Sequence, residues 1–158
     1  MKYVDEMICF QEVPDETTLS FSISNCLHHC PGCHSSYLAE DVGIPLWDVL
    51  PERIDFHDGL ITCVLFMGGD DSAQIEDLKR CAAYCRKRGY KTALYSGAEN
   101  IPEHLWNYFD YVKIGPYKQE LGGLNNKTTN QRMYKNISGR WEDITYKFWQ
   151  KGLKVETI

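Results

Sequence analysis

The chain has 158 residues, a formal net charge of −5 at pH 7 and a hydrophobic fraction of 43%. This length favours a single domain with a substantial core, and the acidic balance argues against a nucleic-acid partner, which usually recruits a basic face. No run of about 18 apolar residues and no N-terminal apolar signal region is present, so we expect neither a membrane span nor secretion.

Hydrophobic patterns predict alternating strands and helices along the chain. Strands are predicted at 7–10, 19–24, 60–67, 92–96 and 111–114. Helices are predicted at 45–56, interrupted or started again at Pro51, from Asp70 to about Arg88, and at 102–107. This order implies βαβ units, an α/β fold and a mostly parallel sheet. A full (β/α)8 barrel needs about 250 residues, so the chain holds only part of one. We expect one domain over residues 1–158, with residues 121–158 as an irregular C-terminal extension in which 141–149 form a strand or a helix.

Three of the seven cysteines lie within eight residues, directly after the predicted strand at 19–24. Cys26, Cys30 and Cys33 have the spacing C-x3-C-x2-C. Thiolates this close together, in a chain expected in a reducing cytoplasm, are typical of metal ligands rather than disulfides. Three thiolates on a four-iron cluster would leave one iron open for a substrate or cofactor.

A zinc site is the alternative for this loop, with His28, His29 or His34 as the fourth ligand. Structural zinc sites usually combine two separate cysteine hooks, and the other cysteines here are scattered. The spacing therefore favours an iron–sulfur cluster and leaves zinc as the second interpretation.

Gly68-Gly69-Asp70 ends the most apolar predicted strand. Ligands of parallel α/β folds bind beyond the carboxyl ends of strands, paired glycines let the backbone approach a ligand, and an acid can hold an ammonium group. The alternative is an ordinary turn with a helix cap at Asp70 or Asp71. The cysteine loop at another strand end favours the ligand-binding interpretation.

Two further features have structural alternatives. Lys113 lies in a strand pattern that turns its side chain either to solvent or to the ligand side of the sheet. Cys81 and Cys85 are one helical turn apart; we expect Cys85 in the core and Cys81 partly exposed, with a redox role for the pair as a minor alternative.

The cysteine spacing resembles the signature of the radical S-adenosylmethionine (radical SAM) superfamily, and Gly68-Gly69-Asp70 resembles its glycine-glycine-acid motif. The Cys-Pro-Gly-Cys-His loop, the sequence Lys113-Ile-Gly-Pro-Tyr117 and the sequence Thr128-Thr-Asn-Gln-Arg132 look like the activating proteins of anaerobic ribonucleoside-triphosphate reductase. The chain departs from the superfamily in having Gly32 before the third cysteine, as this activase family does, and Asp rather than Glu in the glycine motif.

The resemblance implies an incomplete radical-SAM-type barrel and a [4Fe-4S] cluster on Cys26, Cys30 and Cys33. S-adenosyl-L-methionine would bind the open iron, and its implied protein contacts are Gly32, Cys33, His34, Gly68, Gly69, Asp70, Tyr95, Ser96 and Lys113. The cofactor supplies the reactive chemistry, so no catalytic side chain is assigned.

The implied activity is that of an oxidoreductase which reductively cleaves S-adenosylmethionine to a 5′-deoxyadenosyl radical. This radical takes hydrogen from a glycine of the large catalytic subunit of anaerobic (class III) ribonucleotide reductase. The implied partners are that subunit and an electron donor such as flavodoxin, in the cytoplasm. The alternatives are an activase of another glycyl-radical enzyme or another small radical SAM enzyme, and, outside enzymes, a zinc-binding interaction module.

Overall fold

The computed structural model of the protein describes residues 1–26 and 36–149. Within those residues eight strands and two α-helices form an α/β fold, as predicted. The strands are β1 (Lys2–Cys9), β2 (Thr18–Ile23), β3 (Ile44–Pro45), β4 (Cys63–Met67), β5 (Lys91–Tyr95), β6 (Tyr111–Ile114), β7 (Arg132–Ile137) and β8 (Arg140–Asp143). The helices are α1 (Leu46–Phe56) and α2 (Ile75–Lys87), with 3₁₀ helices at Ser36–Ala39, Glu103–Tyr108 and Thr145–Phe148.

All eight strands belong to one sheet in the order β3-β1-β2-β4-β5-β6-β7-β8. The four central strands β2, β4, β5 and β6 are parallel, whereas the pairs on both flanks are antiparallel. The prediction of a mostly parallel sheet is therefore wrong, and the described residues show a mixed sheet. The physical reason is local, because the short segment between β1 and β2 allows a hairpin-like return but no parallel crossover.

The sheet has an apolar core on each face. One face packs beneath α1 and α2 and includes Phe21, Phe66 and Val112, all fully buried. The other face includes Leu65 and Tyr111, and segments from both ends of the chain, among them Val13 and Phe148, cover it. Burial on both faces explains why β4 is a continuous apolar run.

Several element boundaries differ from those predicted. The helix predicted from Asp70 begins at Ile75, because Asp71 Oδ1 accepts hydrogen bonds from the backbone N–H groups of Ala73 (3.1 Å) and Gln74 (3.2 Å) and holds a turn ahead of the helix. The helix predicted over 45–56 begins at Leu46 and is continuous through Pro51, so the predicted interruption at this proline is wrong. The strand predicted at 111–114 has the same bounds as β6.

The C-terminal region predicted as irregular contains two strands. β7 extends the sheet beyond β6, and β8 returns along β7 with Asn136 opposite Trp141. Residues 115–131, between β6 and β7, contain no strand or helix, and residues 150–158 lie outside the described part of the chain. In the described residues, no helix has the length and apolar character needed to cross a membrane.

Candidate functional site

The carboxyl ends of β2, β4, β5 and β6 surround a cavity of about 390 Å³. Four strand ends supply its walls, since parallel strands end at the same edge of a sheet. It is lined by every described residue that the sequence nominated, namely Cys26, Gly68, Gly69, Asp70, Tyr95, Ser96 and Lys113. These residues span almost 90 positions of sequence and meet only through the parallel centre of the sheet.

Cys26 enters the cavity wall three residues after β2. Its backbone N–H donates to Leu38 O at 2.8 Å, and the N–H of Asn25 donates to Glu40 O at 3.1 Å. Asn25 adopts a positive φ of 61° and its amide donates to Asp41 Oδ1 at 3.1 Å. The half-buried Cys26 is therefore held by backbone hydrogen bonds that do not involve its thiol, which leaves the sulfur available as a ligand.

Cys30 and the cofactor candidates Gly32, Cys33 and His34 lie outside the described residues. Among residues 1–26 and 36–149, no three His, Cys, Asp or Glu side chains come together as a metal-binding group. The predicted ligand set therefore has one described member, Cys26, at the cavity.

The Gly68-Gly69-Asp70 segment turns sharply after β4. Both glycines have positive φ, +115° and +91°, which residues with a Cβ rarely adopt. Gly68 N–H donates to Tyr95 O at 3.0 Å and so keeps the turn attached to β5. The conformation brings bare backbone and the Asp70 carboxylate to the cavity wall together.

Ser96 fixes the orientation of Asp70. Its buried hydroxyl donates to Asp70 Oδ2 at 2.6 Å and accepts from the backbone N–H of Ala98 at 3.0 Å. The chain thereby couples the end of β5 to the acid that follows β4, and a negative charge faces the cavity in a defined position.

We expect Ser96→Ala to lower the free energy of unfolding by about 1–3 kcal/mol, because Asp70 and the Ala98 N–H both lose a buried partner. Chemical denaturation at neutral pH measures this loss. The exposed Ser72→Ala is the matched control and should change stability by no more than about 0.5 kcal/mol. Equal values for the two variants would show that the hydroxyl does not hold this corner of the site.

Gln74 is a site residue that the sequence analysis missed. Its side-chain amide donates to Asp71 Oδ2 (2.7 Å) and to Ser24 O (3.3 Å), and it lines the cavity although it is 93% buried. Its Oε1 is buried and accepts no hydrogen bond within the described residues. A buried acceptor without a partner beside a cavity indicates a place for a ligand donor. A glutamine before a helix carries no signal of this role in a single sequence.

The Lys113 side chain lies at the cavity rather than in solvent. Its side chain is nearly buried, and Nζ lies 5.1 Å from the centroid of the Tyr95 ring. Lys113 and Tyr95 also border a second cavity of about 310 Å³ under the N-terminal segment. The Tyr95 hydroxyl donates to Glu12 O, and burial, followed by the nearby Glu12 charge, raises the pKa of Tyr95 well above its usual value, so this phenol stays neutral.

The segment after β6 and the polar segment before β7 are packed together at the cavity. Gln131 Nε2 donates to Gly115 O at 3.3 Å, and Asn130 Nδ2 donates to Pro116 O at 3.0 Å. A Cβ added to Gly115 would lie only 3.1 Å from the Gln131 Cα. The two segments singled out by the resemblance thus form one wall, to which Gln131 and Tyr117 contribute.

The three buried thiols in the described residues, Cys63, Cys81 and Cys85, are structural. Cys81 is fully buried, so its predicted partial exposure is wrong. Burial, with a smaller effect of Asp77, raises the pKa of Cys81 to about 12, and burial likewise raises the pKa of Cys85. Such thiols stay protonated, and the thiolate is the reactive form, so this pair does not suit redox chemistry. Cys63 is buried in β4, as predicted.

Comparisons of the chain with protein-family models, with curated proteins and with solved structures found no match. Function is therefore inferred from the residues themselves and from the way in which the fold groups them.

Proposed function

We propose that this protein activates anaerobic ribonucleotide reductase by generating a glycyl radical on its large catalytic subunit. The proposal assigns to it a [4Fe-4S] cluster on Cys26, Cys30 and Cys33 and S-adenosyl-L-methionine as the cosubstrate. The observation that supports it best is the cavity, because residues nominated on four separate strand ends line the same space.

The described residues fit such a group. The cavity volume of about 390 Å³ lies within the range of small-molecule sites. It offers a thiol at Cys26, a backbone turn free of side chains at Gly68-Gly69 and a buried acceptor at Gln74 Oε1 that has no described partner. Thiolate is the ligand that iron–sulfur clusters require.

Cys26, Cys30 and Cys33 would hold the cluster, and with one electron from a donor such as flavodoxin the bound group would supply reductive cleavage of the cosubstrate to a 5′-deoxyadenosyl radical, the chemistry needed to remove a hydrogen atom from the partner's glycine. The chain's own residues bind and orient the cosubstrate. The Asp70 carboxylate, positioned by Ser96, attracts an ammonium group, and the glycines before it let that group approach the backbone. Lys113, near the end of β6, offers a positive charge to the carboxylate group of the cosubstrate.

The finer fold assignment, an incomplete radical-SAM-type barrel, belongs to this proposal. It draws support from the four parallel strands, whose carboxyl ends all border the cavity. A sheet that does not close leaves a lateral opening, and a loop of another protein could enter it. We place Gln131 and Tyr117 at that opening.

The test is anaerobic reconstitution of the wild-type protein with iron and sulfide, followed by addition of S-adenosylmethionine and a strong reductant. We expect cluster absorbance and cluster-dependent formation of 5′-deoxyadenosine. Adding the large subunit of anaerobic ribonucleotide reductase should then produce a glycyl-radical signal in electron paramagnetic resonance. If the signal formed only on another glycyl-radical enzyme, that enzyme would be the partner that this protein activates. A colourless protein that retains one zinc and forms no 5′-deoxyadenosine would refute the enzyme and leave a zinc-binding interaction module.

A further inference from the structure

A second groove lies outside the site described above, between the 3₁₀ helix Glu103–Tyr108 and strands β6, β7 and β8. Its volume is about 550 Å³. Three half-buried aromatic side chains form its wall, Trp106 from the helix, Tyr134 from β7 and Trp141 from β8. We call it the aromatic groove.

The aromatic wall is built by edge-to-face contacts. The ring centroids of Trp106 and Trp141 are 4.8 Å apart at 69°, and those of Trp106 and Tyr134 are 5.9 Å apart at 73°. Rings packed in this way support one another. All three residues line the groove and are only half-buried, so part of their aromatic surface stays accessible there. Aromatic rings of this kind attract cations.

Two carboxylates lie on the rim of the aromatic groove. Glu99 and Glu103 are exposed and line it, and within residues 1–26 and 36–149 neither forms an ion pair. No lysine or arginine is among the groove's lining residues. The groove thus combines aromatic surface with unneutralised negative charge, which is the complement of an organic cation.

We propose that the aromatic groove binds an arginine side chain presented by an extended segment of a partner protein. Arginine suits it better than lysine, because the planar guanidinium stacks on aromatic rings and can bind carboxylates through two N–H groups at once. The same chain already uses this contact internally, with Arg80 Cζ 4.2 Å from the centroid of the Trp47 ring.

The aromatic groove adjoins the cavity at the carboxyl ends of β2, β4, β5 and β6, because Asn100 lines both. A segment anchored by its arginine in the groove would therefore lead toward the cavity, and this last step rests on the proposed function. The arginine site itself needs no metal or cosubstrate, so its test can fail or succeed independently of the radical chemistry.

The experiment uses the full-length protein labelled with nitrogen-15 and follows the indole N–H signals of Trp106 and Trp141 by nuclear magnetic resonance. The probe is a capped Gly-Arg-Gly peptide, and the matched peptide carries citrulline, a neutral isostere of arginine. We expect saturable shifts of both signals with the arginine peptide and binding about fivefold or more weaker with citrulline.

A double variant, Glu99→Gln with Glu103→Gln, should lower the affinity for the arginine peptide by about fivefold or more. Both positions are exposed, so the fold should be unaffected. Glu120→Gln, an exposed carboxylate outside the groove, should leave binding unchanged. A third peptide carries lysine in place of arginine and should bind more weakly. The assignment would be overturned by equal binding of the citrulline or the lysine peptide, by the absence of a saturable shift, or by unchanged binding of the arginine peptide to the double variant.

Discussion

Cys26→Ala is expected to abolish cluster assembly and 5′-deoxyadenosine formation after anaerobic reconstitution. The reason is that this chain supplies only three thiolates to the four irons of the proposed cluster. Removing one thiolate leaves two irons without protein ligands. The Cys26 backbone is held through its own N–H to Leu38 O, so the substitution should remove the sulfur without releasing the loop end. Cys30→Ala and Cys33→Ala should give the same complete loss. Iron and sulfide content, visible absorbance of the cluster and product formation measure it.

Cys9→Ala is the matched control for these variants. Cys9 is also half-buried and free, but its Sγ lies 3.5 Å from Ser20 Oγ on β2, away from the cavity. The Cys9→Ala variant should retain the cluster and the activity. In the absence of iron, the Cys26→Ala variant should unfold at nearly the same denaturant concentration as the wild-type protein. If Cys26→Ala assembled a full cluster with wild-type product formation, the three-cysteine ligand set would be refuted.

The second large effect concerns Glu16, which joins three elements at the amino-terminal end of the parallel strands. Its Oε2 accepts from the buried Tyr111 hydroxyl at 2.7 Å and from Lys91 Nζ at 3.0 Å, and its Oε1 accepts from Thr62 Oγ1 at 2.7 Å. The Glu16 side chain is only 5% exposed. Glu16→Ala should lower the free energy of unfolding by about 3 kcal/mol, because the buried phenol loses its acceptor. Lys91 adds little to this figure, since its side chain is 52% exposed and water can solvate it.

The same residue gives the protein an acid-sensitive stability. Burial alone would raise the pKa of Glu16, but hydrogen bonds from Tyr111, Thr62 and Lys91 outweigh it and hold the pKa below the ordinary 4.5. A carboxyl whose pKa is lower in the folded state stabilises that state above the unfolded pKa and loses this contribution as pH falls through the folded one. Unfolding midpoints should therefore decrease below about pH 4.5, and Glu16→Gln should make this decrease smaller.

Denaturation of wild type, Glu16→Ala, Glu16→Gln and Glu120→Ala at about pH 7 and about pH 4 measures both effects. Glu120 is exposed and should behave as wild type at each pH. A Glu16→Gln variant that lost stability in acid as steeply as wild type would contradict the assignment. In that case the acid response would come from another carboxyl, such as Glu6, whose pKa is also lowered, by Arg53 and His57 against the opposing effect of burial.

The parts of the fold that could be predicted are those with a strong local pattern. The run ending in Met67 and the strand from Tyr111 to Ile114 alternate or stay apolar in a way that few other structures permit. The strand or helix expected at 141–149 corresponds to the end of β8 and the 3₁₀ helix Thr145–Phe148. Strand β7 and its pairing with β8 were missed because they lie at the edge of the sheet, where only Met133 of β7 is fully buried. The one available signal was Ser138-Gly139, whose positive φ angles of 54° and 87° suit a tight hairpin turn.

The candidate site could be predicted only as separate pieces. Cysteine spacing and paired glycines are local patterns, so Cys26, Gly68 and Gly69 could be nominated from the chain alone. Gln74 could not, because its role depends on a buried oxygen that only the folded arrangement leaves without a described partner. Likewise, no local pattern decides which face of β6 carries Lys113, since that depends on the strands beside it.

The segment between β6 and β7 also orders events during synthesis of the chain. Cys26 leaves the ribosome before Gln131, which completes the cavity wall against Gly115 and follows roughly 100 residues later. At about 5–20 residues per second this interval lasts on the order of 5–20 s. During that time the Cys26 thiol is present but the cavity beside it is not yet complete. Any metal group that binds in the finished cavity therefore enters only after Gln131 has been synthesised and has reached Gly115.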